Sequence, residues 1–257
     1  MARVELSKEQ MAKYNAAVPM RVNAKGDLVT APVYLDFVGA LLKPQKSNFK
    51  NDDGTEKSPS YGCTILFQKG QNFAVPRKIM DGIYTEKGII RQKVDGKPTG
   101  PWVGQKDPFL KQEVIGLDKT SGELRKGYVD GGLALRVSSF KKPLVVYGTD
   151  RKVVEPPAFD ILYSGVLAMC VLNPYYSPTK KELLAKPTTV RGVQFGIMSV
   201  VLLNTNTPKW FEGGGRSASI EDLKDIDIDS SLIVDFETGD GELTGADEFA
   251  SEDEFAV

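Results

Sequence analysis

Apolar and polar positions alternate with a period of two over several short stretches of this chain, the pattern of a half-buried strand. Val33, Leu35 and Phe37 alternate with Tyr34, Asp36 and Val38. Tyr61 to Phe67 forms a second stretch, Leu133, Leu135 and Val137 a third, and Leu144 to Tyr147 a fourth. The two longest and most apolar, Tyr163 to Leu172 and Val193 to Leu203, give the strongest strand signals. Helical spacing is scarce. Ser7 with Gln10 three residues later has the form of a capping box, which predicts a short helix to about Ala16, ended before Pro19. Ile79, Met80 and Ile83 mark a helix within residues 72–84, where Pro76 fits only in the first turn.

Between these elements run long polar segments. Residues 44–58 are rich in Lys, Asn, Asp and Gly and include the turn signal Asp53-Gly54. Residues 88–132 are glycine-rich, with Trp102, Phe109 and Tyr128 set among Lys and Arg. Irregular stretches of that length in a compact domain are usually functional. Pro174 through Lys181 reads as a basic, aromatic connection between the two strongest strands. Five or more strands, one helix between early strands and long basic loops predict a mainly β fold. The best fit is a five-stranded OB-fold-type barrel with long loops and one or two short helices. Periodicity alone leaves a β-sandwich open.

Composition narrows the chemistry. The 257 residues include no histidine and two cysteines. Serine–histidine and cysteine–histidine pairs and histidine metal ligands are therefore excluded, and two cysteines cannot build a structural zinc site. Cys63 and Cys170 lie far apart in apolar runs, which predicts buried reduced thiols. No enzyme activity, cofactor or metal is expected. No apolar run approaches the roughly 18 residues of a membrane span, and Met1 to Ser7 has no signal-peptide character. The expected location is cytoplasmic, without a membrane partner.

The formal net charge of −1 conceals a division. Residues 217–257 hold 14 acidic residues against Lys224 alone, a charge of −13, while residues 1–216 carry 32 Lys and Arg against 20 Asp and Glu, +12. A basic body of this size is an electrostatic footprint for a polyanion. So acidic a segment with sparse apolar residues cannot bury enough surface to offset its ordering entropy, so a flexible tail is expected. The glycines of Glu212-Gly213-Gly214-Gly215-Arg216 form the expected hinge, dividing a body of residues 1–212 (core about 30–205) from a tail of 213–257. Ile226 to Phe236 is more apolar and reads as a short strand or anchoring segment. Asp-Glu-Phe-Ala occurs twice in the tail, at 247–250 and 253–256. Phe249, Asp253, Glu254 and Phe255 are thus candidate partner-binding residues: the ring desolvates and the carboxylates steer. The same charge suits the tail to compete with DNA for the basic body.

The segments Pro143 to Gly148, Phe159 to Gly165 and Asn173 to Tyr175, with Arg191 to Ile197 and Tyr61 to Lys69, resemble phage-encoded single-stranded DNA-binding proteins with an OB-fold. The resemblance covers roughly residues 30–205. The tail is similar to those of phage and bacterial single-stranded DNA-binding proteins that end in an aromatic residue and recruit replication enzymes; here Ala256 and Val257 follow Phe255. The resemblance implies a non-enzymatic protein that protects single strands in replication and recombination, with replication and recombination proteins as tail partners.

Binding single strands without strong sequence preference needs cations for phosphates and aromatic faces for bases. Tyr175, Tyr176 and Trp102 are the stacking candidates. Lys43, Lys46, Lys50, Arg136, Lys141, Lys142, Arg151, Lys152, Lys180 and Lys181 are the phosphate candidates. Each has a plainer reading: the tyrosine pair closing the barrel end, the tryptophan capping the core, the cations as solvated surface. Trp210 and Phe211 read better as packing that holds the hinge. Two other functions stay open. A β-rich virion or scaffolding component would use the tail against premature assembly. A metal-dependent nuclease would need clustered carboxylates, for which Asp150, Glu155 and Asp160 are the nearest group.

Overall fold

The computed structural model of the protein describes residues 7, 9, 10, 12, 13, 18–46, 56, 58–118, 120–156, 158, 160–177, 192–205 and 207–210. Its strands are β1 (Arg21–Val22), β2 (Leu28–Val29), β3 (Val33–Asp36), β4 (Tyr61–Phe67), β5 (Phe109–Lys111), β6 (Leu133–Ser139), β7 (Leu144–Tyr147), β8 (Lys152–Val153), β9 (Leu167–Ser177) and β10 (Gly192–Asn204). The principal helix, Ala74–Glu86, lies between β4 and β6 and carries Pro76 in its first turn, as its spacing predicts. Ser7 and Gln10 make both bonds of a capping box: Gln10 Oε1 accepts from the Ser7 amide and Ser7 Oγ from the Gln10 amide. No helix among the described residues is long and apolar enough to cross a membrane.

Five strands close a barrel. β3, β4 and β6 follow one another antiparallel, β10 lies parallel to β6, β9 is antiparallel to β10, and β9 returns antiparallel to β3. The last strand is thus inserted between the third and fourth, the Greek-key order of the expected OB-fold type. Period-two side chains fill the interior: Val33 and Leu35, Cys63, Ile65 and Phe67, Leu135 and Val137, Ala168, Cys170 and Leu172, and Val193, Phe195, Ile197, Val200 and Leu202, all buried. Each such side chain contributes about 1.5–3 kcal/mol when fully buried. The helix sets Met80 and Tyr84 on this core, and Phe73 and Phe109 pack edge-on against Phe67. The hairpins β1–β2 and β7–β8 extend the sheet at β9 and β10.

Two boundaries differ from the sequence reading. The alternation expected through Phe37 stops at Asp36: Phe37 has φ of 54° and is 53% exposed, whereas Val38 is buried. The cause is local. The Asp36 side chain is buried, and its Oδ1, together with Ser164 Oγ, accepts the Phe37 amide proton, turning the chain outward. The fourth barrel strand begins at Leu167 rather than Tyr163 and runs on through Pro174 to Ser177. Tyr163 instead sits buried in the preceding turn, donating its hydroxyl to the Thr207 carbonyl at 2.7 Å. Pro174 is tolerated because β2 pairs with β9 only at Val171 and Leu172, so one edge of β9 has no ladder to break there.

Gln112 ties the ends of β4 and β6 together. Fully buried, it donates Nε2 to the carbonyls of Phe67 and Leu133, both at 2.8 Å, and accepts the Val129 amide at 2.9 Å. Gln112→Met keeps the bulk and removes these bonds. The expected result is a loss of about 1–3 kcal/mol in a urea titration, the penalty for buried polar groups left unpaired. Both cysteines are free and buried, as expected. Burial raises the Cys63 thiol well above its ordinary value, with Cys170 and Asp36 adding smaller increments, and burial raises Cys170 to about 12. Native protein at pH 8 is therefore expected to give no reaction with a disulfide reagent, and both thiols should titrate once urea unfolds it.

Candidate nucleic-acid interface

Strand register sorts the outer face of the barrel into rows. In one row Tyr34, Leu66 and Ala134 lie side by side on β3, β4 and β6. This row is covered: Leu66 and Ala134 are buried with Tyr128, and Trp210 packs on Tyr34 at 5.5 Å between ring centres. Two residues along each strand stands the row Asp36, Thr64, Arg136. Two further along is a row of small residues crossing four strands: Gly62 on β4, Ser138 on β6, Gly196 on β10 and Asn173 on β9. Nothing large stands on this last row, and its members Ser138, Gly196 and Asn173 line a groove of about 770 Å³, with the edge of the Tyr175 ring close to Gly196.

The walls come from the same faces of the same strands. Because β6 and β10 are parallel, Phe140 and Met198, two residues beyond Ser138 and Gly196, rise on one side of the floor. Tyr175, two residues beyond Asn173 on antiparallel β9, rises on the other. Phe140 is 78% exposed and Tyr175 43%. Ser58 and Ser60 close the β4 end, and Lys141 lines the groove beside Phe140. Gly62 is required by close packing, since a Cβ there would collide with the Val137 carbonyl oxygen. Asn173 is held by its Nδ2 donating to buried Asp27 at 3.1 Å.

The candidate residues divide around this groove. Tyr175 and Lys141 line it, Lys142 adjoins it, and Arg136 is exposed one row away. Lys43 and Lys46 are exposed on the β3–β4 connection, whose return bridges Gln45 to Ser60 at the groove. Lys46 pairs with Glu56 at 3.3 Å, but both side chains are about three-quarters exposed, so the pair holds them only weakly. Arg151 and Lys152 are not brought to the groove. They occupy the β7–β8 hairpin at the end of β7 away from Leu144, and Lys152 pairs with Asp150 at 3.0 Å. Lys50, Lys180, Lys181, Phe249, Asp253, Glu254 and Phe255 lie outside the described residues, as do Phe211 and Ile226 to Phe236.

Tyr176 is also placed elsewhere. Adjacent residues of a strand face opposite ways, so Tyr176 turns from the groove, sets its ring edge-on to Tyr84 and donates to Gln105 Oε1 at 3.2 Å. Trp102 belongs to that second cluster. Its indole N–H donates to Asp81 at 2.9 Å, and Arg91 lies 4.5 Å over its ring while pairing with the same carboxylate at 2.6 Å. These groups line a separate hollow of about 450 Å³ with Arg77 and Lys106. Burial raises the Tyr84 hydroxyl above its ordinary value, a shift partly opposed by the Val193 amide donating to it. Of the carboxylates named for a nuclease, Asp150 pairs with Lys152 and Asp160 with Lys209, the latter at 3.6 Å. Glu155 and Asp160 line one hollow, and no group of three or more such residues among the described residues could hold a metal ion. The groove residues missed in the sequence are Phe140 and Met198, both continuing the outward period of their strands.

No protein-family model matches the chain, and no characterised protein matches it by sequence. Solved structures similar to it include single-stranded DNA-binding proteins of phages. The single-stranded DNA-binding protein of bacteriophage Enc34 in complex with single-stranded DNA gives a TM-score of 0.47 at 17% identity, covering 79% of this chain and 95% of that one. A C-terminal truncation of the Enc34 protein gives 0.46 at 16%, with 79% and 93% covered. The single-stranded DNA-binding protein gp2.5 of bacteriophage T7 gives 0.38 at 13%, with 76% and 99% covered.

Trp102→Phe separates the two clusters. Loss of the bond to Asp81 is expected to lower stability by about 1 kcal/mol. Affinity for a single-stranded oligonucleotide, read by fluorescence anisotropy, should be unchanged.

Proposed function

We propose that the protein binds single-stranded DNA in the groove over Ser138, Gly196 and Asn173, without strong sequence preference and without catalysis. The observation that carries this reading is the pairing of an open small-residue floor with exposed Phe140 and Tyr175 on opposite walls and Lys141 alongside. Bases have faces to stack on, and the backbone has cations to follow. An exposed apolar surface of this kind, set in a basic body, favours a polyanion with flat apolar faces over a purely ionic ligand. Barrels of this type take oligonucleotides on the faces of the second and third strands and the loops beside them; the third barrel strand, β6, and the loop leading into β4 reach this groove through Ser138, Ser139, Ser58 and Ser60.

The reading extends to the tail. Its charge of −13 against the +12 of the body supports competition with DNA for the groove, and its repeated Asp-Glu-Phe-Ala supports recruitment of replication and recombination proteins. The protein would then act on single-stranded intermediates of phage replication and recombination in the host cytoplasm.

The test is anisotropy of labelled oligo-dT with the full chain and with a chain ending at Arg216, across a salt series. Single strands should be preferred to duplex, and removal of the tail should tighten binding. Tyr175→Ala and Phe140→Ala should each weaken it by about 1–3 kcal/mol. Lys141→Ala should reduce the log–log salt slope by about 0.7, and Arg151→Ala should change little. Wild-type affinity in Tyr175→Ala and Phe140→Ala would overturn the groove as the site.

A further inference from the structure

Phe37 combines two costs that a surface loop has no reason to carry. Its backbone sits at φ 54°, a region that bulky side chains avoid, and its ring is 53% exposed. The sequence alternation would have buried it. The surroundings hold it outward: the buried Asp36 carboxylate and Ser164 Oγ share its amide proton, and Tyr128 donates to the other Asp36 oxygen at 2.8 Å. Arg125 is positioned in turn. It donates to the carbonyls of Ile115 at 2.9 Å and Gly116 at 3.4 Å, and its guanidinium lies 4.8 Å from the Tyr128 ring centre and 5.3 Å from that of Phe37.

The register relates this ring to the groove. Asp36 is the β3 member of the row that continues through Thr64 and Arg136. Arg136 on β6 and Gln194 on β10 each stand two residues before the Ser138–Gly196 pair, and Gln194 pairs with Tyr175 on β9. Asp36, the residue just before Phe37, and Tyr175 thus stand on one row of register across β3, β4, β6, β10 and β9, with buried Thr64 and exposed Arg136 between them. Four strand spacings amount to roughly 19 Å. Resting on the groove reading, we propose that Phe37 is a second base-stacking platform, backed by Arg125, so that a bound strand leaves Tyr175, passes Arg136 and stacks again on Phe37. The arginine behind the ring fixes it and places a positive charge where the next phosphate would come.

Oligo-dT of about 4 and about 16 nucleotides, spanning the range of sites on such barrels, distinguishes this inference from the reading beneath it. In the full chain, Phe37→Ala should weaken the longer oligonucleotide by about 5- to 150-fold, the loss of one stacked base, and leave the shorter one unchanged. Tyr175→Ala should weaken both. Phe37→Trp should keep wild-type affinity, and its added emission should be quenched by the longer oligonucleotide only. Wild-type protein that binds neither oligonucleotide overturns the groove itself. Binding by wild type with Phe37→Ala unaffected, or weakened equally for both lengths, overturns the platform alone. Thermal melts control for misfolding, and Phe37→Trp keeps the question answerable if the alanine variant is unstable.

Discussion

Strand β10 pairs with three strands along its two edges, and the architecture follows from that. It lies antiparallel to β9 along almost its whole length, touches β6 in parallel at Gly196, and continues in parallel with β7 from Ser199 to Leu202. Irregularities at Ile197/Ser199 and Leu202/Asn204 let one strand serve these partners by bending. Its inward side chains remain buried on both sides of the first bend, Ile197 before it and Val200 after it. Closure of the barrel, the orientation of the β7–β8 hairpin and the parallel direction of Phe140 and Met198 all depend on this strand.

The groove is a consequence of which rows are covered. The excursion containing Tyr128, together with Trp210, lies over Leu66 and Ala134, and these are apolar. The row with Gly62, Ser138 and Gly196 has nothing apolar enough to hold a covering segment. Among the described residues, one outer region of the barrel is therefore sealed by the chain itself and another is not covered by any of them. The middle row, with buried Asp36 and exposed Arg136, marks the change. The tyrosine hydroxyl on Asp36 belongs to this border, and burial followed by that carboxylate raises the Tyr128 phenol strongly above its ordinary value.

Local periodicity made the strands legible, because each barrel strand keeps its apolar side chains two apart, except at the bend of β10 between Ile197 and Val200. It revealed neither the parallel contact of Ser138 with Gly196 nor the row it creates, since register between distant segments leaves no local trace. Tyr175 and Tyr176 looked equivalent because Pro174 through Lys181 reads as a connection; inside β9 the two-residue period makes them face opposite ways. Phe140 was hidden by its neighbours Lys141 and Lys142, which resemble a loop, although Arg136, Ser138 and Phe140 keep one outward period. Phe37 was misread for a different reason. Its direction is fixed by Ser164, 127 residues away, as well as by its own neighbour.

The opposed tyrosines of β9 have a thermodynamic meaning. Tyr176 anchors the strand to Tyr84 and Gln105 on one side, so the backbone carrying Tyr175 on the other is already immobilised. On the function proposed above, a base stacking on Tyr175 would have only the rotamer freedom of that ring left to remove. The entropy of positioning is spent when the protein folds, so it is absent from the cost of association.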